Sequence, residues 1–411
     1  MAATRRRAYA ERITGVSLAG YRVFRERVDI AFGDVTILAG PNSGGKSSAM
    51  HPLLLMKQSL DAPVAPPGFK LDGDHVFAES ARDLIARGSN GVRFEIRTSR
   101  QRALEIEAAP TADGTFETIE MVARGPIGRP TRLRAGKRWQ NRQLKPYRFM
   151  LGIEDLHRPG LRVPDAAAAV VRLLTAILHV PAFRIPRREH PAGQLADTLP
   201  GPFDQYVASV VLGWQDSKAE DDRVALKAVG AELLELGLTW AVKARRRTGA
   251  SLELLVGRLP HAVQGGGKDF VNIADVGVGV SQVLPFLVAL RLAKPGQLVY
   301  VEQPELHLHP RAQVMLAGIV ARAVTSRGVR VVAETHSSLF IRGVQTSIAR
   351  GDFGPRSVWV HWFQRQDDGT AKVTSIKPAA DGSLGDFPQD FDDVEISALN
   401  AYADAAEEAV S

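Results

Sequence analysis

The chain has 411 residues and no cysteine, which excludes disulfide cross-links, thiolate nucleophiles and thiolate-bound metals. Its 45% hydrophobic and 24% charged residues are those of an ordinary globular protein, long enough for two domains or for one with a large insertion. A formal charge of +7 points to an acidic or phosphate-bearing partner without choosing between them.

Met1 to Arg7 is basic, but no apolar core follows, so no signal peptide is expected. From Ile13 to Val28, Val16, Leu18, Tyr21 and Phe24 are spaced as in a half-buried antiparallel strand pair. Val35 to Ala39 is a β-branched strand that stops at Gly40, and Ser47 to Leu60 has the apolar spacing of a helix, with Pro52 early, where a proline is least harmful. Val92 to Ile96 and Leu104 to Ile106 alternate like strands of a meander. Arg124 to Pro164, dense in Gly, Pro and Arg, predicts an exposed excursion. Asp165 caps a helix running through Val170, Leu174, Ile177 and Leu178, and a second helix is expected over Asp222 to Leu236. Leu252–Leu255 and Phe270–Ile273 read as a β pair around Gly265–Gly267. Leu298 to Val301 is a buried parallel strand, followed by a helix near Arg311 to Ser326 and the strand Val329 to Ala333. Ser357 to Ile376 predicts a hairpin turned at Asp367-Asp368-Gly369, and an alanine-rich helix begins near Val394. The longest apolar stretch, Val276 to Leu290, is broken by Gly277, Gly279, Ser281, Gln282 and Pro285 and is too short to cross a bilayer. A soluble, cytoplasmic protein with no membrane partner is expected.

Gly40, Pro41, Asn42, Ser43, Gly44, Gly45, Lys46 and Ser47 fit the pattern G-x-x-x-x-G-K-[ST] between a strand and a helix, with Ser48 following. Such a glycine loop curls its amides round a phosphate chain and adds the positive end of a helix dipole. Lys46 is expected to neutralise the β- and γ-phosphates of ATP, and the Ser47 hydroxyl to bind Mg²⁺. Glu302 ends a buried strand, where an open α/β sheet presents its ligand groups, and is expected to share that metal with Ser47. The next position is Gln303, which orients water but takes no proton from it, so slow hydrolysis is expected, with Glu305 or Glu334 as alternative bases.

The glycine turn Asp275 to Pro285 opens an apolar helix and offers Ser281, Gln282 and nearby amides to an anion; a plain helix cap is the alternative. His336, in Glu334-Thr335-His336-Ser337-Ser338, is expected on the γ-phosphate side, although alone such a histidine is more often a cap. Glu305, His307, His309 and His336 admit a second reading as a zinc hydrolase set, but Pro310 suggests a loop entering a helix, which parts the two imidazoles. Tyr21 or Phe24 is placed either on an adenine or in the core.

The phrases Gly277–Pro285, Glu302-Gln303-Pro304-Glu305-Leu306-His307-Leu308-His309-Pro310 and Glu334–Ser337 resemble ABC-type ATPase heads, in the style of the RecF/SMC-like and OLD (overcoming lysogenisation defect) ATPases. Met56-Lys57-Gln58-Ser59-Leu60 and Asp381 to Phe391 extend the likeness to a bacterial AAA/OLD-like family. A transporter signature would read closer to L-S-G-G-Q. The resemblance implies an α/β P-loop NTPase with an antiparallel β subdomain and an inserted helical and basic lobe. Its expected divisions are 1–100 and 269–350 for the two core halves, 101–268 for the insertion and 351–411 for a final hairpin and helix module. It also implies an ATP-dependent homodimer in which Ser281 reaches the partner's γ-phosphate, and a role in DNA maintenance or phage defence. The segment Ser337 to Ser411 is short for a Toprim nuclease domain, so Asp390, Asp392, Asp393 and Glu395 are read as a surface or interface segment. A non-hydrolysing ATP-gated adaptor for an effector protein is the alternative. Arg124 to Arg148 holds nine Lys or Arg without a carboxylate, with Trp139 and Tyr147 among them; with Arg184/Arg187/Arg188 and Lys243/Arg245/Arg246/Arg247 it admits DNA contact or a plain solvated surface.

Overall fold

Val35–Ala39 is buried along its whole length and forms the middle of a six-stranded sheet. The sheet order is Leu178–Val180, Leu298–Glu302, Arg330–Thr335, Val35–Ala39, Val358–Arg365, Ala371–Ile376; the first five run parallel and the last turns back antiparallel. The computed structural model describes residues 11–64, 68–154, 161–247, 250–259, 269–385, 400–402 and 404–406.

Two-residue periodicity divides the sheet between two cores. Val35, Ile37, Val299, Val301, Val331 and Ala333 face one core, shared with the helices Val207–Asp216, Glu220–Glu235, Val278–Leu292, Pro310–Arg327 and Ser338–Ala349. Leu38, Leu298, Tyr300 and Val332 face the other, packed on helices Lys46–Asp61 and Asp165–Thr175 and on a second sheet. That sheet is antiparallel, in the order Val28–Ala31, Ile13–Ala19, Val92–Thr98, Ala103–Pro110, Phe116–Arg124, Thr131–Arg134. Arg330, itself buried, ties the two sheets by donating to the carbonyls of Ile13, Phe32 and Gly33. Among the described residues no helix is long and apolar enough to cross a membrane.

Several expectations change. The helix after Asp165 ends at Thr175, and Leu178–Val180, within the span 101–268, is an edge strand of the central sheet. The excursion after Arg124 contains short strands, and Phe149, Leu151 and Ile153 are buried. The final hairpin is part of the central sheet, not a separate module. Helix Val207–Asp216 was not expected. Tyr21 and Phe24 lie in the core, Tyr21 bonded to His51 and edge-on to Phe94. The Gly265–Gly267 turn and the acidic cluster Asp390 to Glu395 lie outside the described residues.

Candidate functional site

The loop from Gly40 to Gly45 needs its glycines. At Gly40, with φ 139°, an added Cβ would lie 2.2 Å from the Phe363 carbonyl oxygen; at Gly45, with φ 102°, it would lie 2.8 Å from Val23 Cγ2. Gly45 caps helix Lys46–Asp61, whose first-turn amides have no intrahelical acceptor and point into the loop. Lys46 folds back so that Nζ donates to the carbonyls of Gly40 at 3.0 Å and Pro41 at 2.9 Å. Burial lowers its pKa, opposed by Glu334 and Glu305. An ammonium, a hydroxyl and a ring of amides thus surround a cradle sized by the missing side chains.

Register brings the acids together. Glu302 and Glu334 are direct neighbours on parallel strands, and the strand of Glu334 lies beside the P-loop strand, where Glu334 pairs with Leu38. The Ser47 hydroxyl donates to Glu334 Oε1 at 3.0 Å. The carboxylate bonded to Ser47 is thus Glu334, while Glu302, expected to share a metal with Ser47, accepts from His179 Nε2 at 3.1 Å and from the Ala182 amide at 3.1 Å. Tyr300 Oη bridges the two acids, 3.2 Å from Glu302 Oε1 and 3.0 Å from Glu334 Oε2. Burial favours the protonated form of both, but bonds from His179, Ala182 and Tyr300 outweigh it at Glu302 and hold that carboxyl at about 2. At Glu334 burial and the charge of Glu302 push the carboxyl up to about 7. One acid is a fixed anion and the other is poised to exchange a proton near neutrality.

Gln303 has φ 44°, and its amide donates to the Glu334 carbonyl at 2.7 Å, so the chain turns sharply as it leaves the strand. Glu305 is buried, accepts from Thr335 Oγ1 at 2.7 Å and the His336 amide at 3.2 Å, and keeps Oε2 without a partner among the described residues. Burial raises its pKa. The His336 ring is half-buried beside the Gly40 backbone, with its pKa lowered by burial and by Lys46. Lys46, Ser47, Glu302, Glu334, Glu305 and His336 therefore form one connected constellation.

Ser281 and Gln282 make no side-chain bond to these six residues among the described residues. Ser281 Oγ donates to the Val278 carbonyl at 2.8 Å, inside its own helix, and the exposed turn at Gly277 and Val278 precedes it. Buried Arg184 links the two regions, donating to the Gln282 carbonyl and, at 2.6 Å, to the Glu302 carbonyl. Arg184 thereby leaves the basic surface in which the sequence had placed it. His309 Nδ1 caps helix Pro310–Arg327 through the Arg311 amide, and no group of three His, Asp or Glu suited to a metal occurs among the described residues, which removes the support for the zinc reading. His179, Tyr300 and Arg184 were missed as site residues; Pro181 just after the Leu178–Val180 run was the available signal of a strand end there.

The basic clusters are largely paired. Arg124 bonds Glu95 and Glu105, and Arg132 and Arg134 share Glu120. Arg245 and Arg247 share Glu253, Arg246 meets Asp216, and Arg188 meets Asp275. Cross-strand register sets the first of these groups, because Glu120 lies opposite Arg134 on adjacent strands.

A glycine cradle at a helix start, acids on the adjacent parallel strands and a flanking antiparallel sheet define an α/β P-loop ATPase of the ABC-type head class. The chain belongs to the family described as "AAA domain, putative AbiEii toxin, Type IV TA system" (AAA_21), whose model matches residues 35–342. Among solved structures, an SMC head bound to the C-winged helix domain of ScpA matches 89% of this chain and 98% of its own at 12% identity, with a TM-score of 0.51. The SMC head domain from Thermotoga maritima matches 89% of this chain and 99% of its own at 10% identity, with a TM-score of 0.45. At 12% identity the likeness to the ScpA-bound head concerns the fold alone. No curated protein matches the sequence.

Proposed function

We propose that this chain binds ATP with Mg²⁺ at the P-loop, hydrolyses it slowly, and works as an ATP-dependent dimeric switch of OLD/RecF type in DNA maintenance or phage defence. The observation that carries the reading is the convergence of Lys46 and Ser47 with Glu302 and Glu334 at the ends of adjacent parallel strands. The oxygen donors suit a hard cation: Ser47 and Glu302 would hold it, with Glu334 close by, and the bound ion would neutralise phosphate charge. For that, Ser47 must exchange its bond to Glu334 for the metal, and the proton affinity of Glu334 makes it a candidate to receive the proton of an attacking water. Gln303 orients that water without taking its proton. The exposed turn at Gly277 and Val278, with Ser281 held inside the helix that follows it, supports a role on a partner's nucleotide. The paired basic residues leave Arg129, Lys137 and Arg138 as the exposed candidates for DNA contact around the loop.

A second reading, an ATP-gated adaptor that docks an effector protein without turnover, is favoured by Gln303 alone. Phosphate release and oligomer mass, each measured with and without ATP, Mg²⁺ and DNA, separate the two. Slow turnover with ATP-driven dimerisation supports the switch, and nucleotide-driven dimerisation without phosphate release supports the adaptor. A monomer indifferent to ATP and DNA overturns both.

A further inference from the structure

The segment Met56-Lys57-Gln58-Ser59-Leu60 has no part in the phosphate cradle, yet its polar side chains are buried. Gln58 spends its whole carboxamide on one loop: Nε2 donates to the carbonyls of Lys70 at 2.6 Å and Val76 at 2.9 Å, and Oε1 accepts from the amides of Val76 at 2.9 Å and His75 at 3.3 Å. Gly73 lets the loop close on it, since a Cβ there would lie 2.4 Å from the Gln58 side chain. The loop so held presents His75, whose Nδ1 lies 2.8 Å from Nδ1 of His179. His179 sits opposite Tyr300 in parallel register, stacks on that ring at 5.0 Å and 10°, and reaches Glu302 through Nε2. Burial pushes the His75 imidazole down to about 2, so it is neutral. The His75 Nε2 atom is buried without a partner among the described residues, which suits a bare nitrogen and leaves the proton on Nδ1. His179 Nδ1 is then an acceptor, and the His179 proton must reside on Nε2, facing the carboxylate.

We infer that His179, oriented by His75 on the loop clamped by Gln58, is a positioning residue that fixes Glu302 for the magnesium of a bound nucleotide. The inference rests on the nucleotide-site reading above and extends it to residues outside the P-loop. With Ala182 holding one oxygen and His179 and Tyr300 the other, Glu302 has one orientation at the strand end. Partners of metal ligands of this kind contribute about 10- to 100-fold in metal affinity.

The test uses the full chain and a fluorescent ATP analogue, titrated with Mg²⁺ and separately in EDTA. His179→Phe keeps the ring on Tyr300 and removes the donor; it is expected to raise the half-saturating Mg²⁺ concentration about 10- to 100-fold and to leave EDTA binding within about twofold. His179→Gln, which can still donate, should recover part of the loss. His75→Leu should shift the Mg²⁺ dependence the same way but less, and carries the test if His179→Phe does not fold. Folded variants with the wild-type Mg²⁺ dependence overturn the inference, as does an equal loss of binding with and without Mg²⁺. Wild-type protein that binds the analogue identically in Mg²⁺ and EDTA overturns the metal-site reading itself, and the inference with it.

Discussion

Glu334→Gln isolates the proton held between the two acids. The amide keeps the shape of the carboxyl and an oxygen for Ser47, but has no charge to set against Glu302. In the native protein burial and Glu302 raise the Glu334 pKa from 4.5 to about 7. A raised acid pKa means that the folded state binds the proton more tightly than the unfolded chain. The stability this contributes is complete below pH 4.5 and is lost as pH rises to about 7. At about 1.36 kcal/mol per pH unit the loss is about 3 kcal/mol. With an unfolding entropy of about 2.1 cal/mol/K per residue, 411 residues convert this to about 4 °C. Thermal unfolding without nucleotide or Mg²⁺, from pH 4.5 to 8, should show the Tm of Glu334→Gln gaining about 4 °C on wild type across that window. The buried histidines His51 and His75 titrate alike in both proteins and cancel in the difference. Glu302, depressed to about 2, loses its contribution only below pH 4.5, outside the window. Parallel curves for the two proteins would falsify the account of a shared, proton-poised acid pair.

Gln303→Glu restores a carboxylate where the expected base is missing and should raise phosphate release about 100-fold; an unchanged rate moves the base to Glu334 or Glu305. Gly40→Ala drives a Cβ to 2.2 Å from the Phe363 carbonyl at a φ of 139°, and should cost about 2–4 kcal/mol in urea unfolding along with nucleotide binding. Glu120→Gln releases Arg132 and Arg134 and should raise low-salt affinity for duplex DNA severalfold by fluorescence anisotropy, with little change in stability. Unchanged anisotropy would remove this loop from any DNA contact.

The glycine loop was legible because its parts are local: a strand, a glycine loop and a helix in sequence order carry their own geometry. The acids at Glu302 and Glu334 were legible as strand ends, but which of them meets Ser47 depends on register between strands, which no single stretch encodes. His179 was hidden for another reason. Its strand has three residues and follows a helix of similar apolar content, so periodicity could not separate them. The basic excursion looked unpaired because its counter-ions lie on earlier strands, with Glu95 29 residues before Arg124 and Glu120 12 before Arg132.

The place of Val35–Ala39 in the middle of its sheet has a consequence for synthesis on the ribosome. Both of its neighbours, Arg330–Thr335 and Val358–Arg365, leave the exit tunnel about 300 residues later, whereas the antiparallel sheet is built from strands close in sequence. That sheet can form early from local contacts, while the strand leading to the cradle waits with both edges bare until most of the chain has been made. A nascent chain stalled before Arg330 therefore carries an intact P-loop motif but lacks Glu334, the acid that meets Ser47.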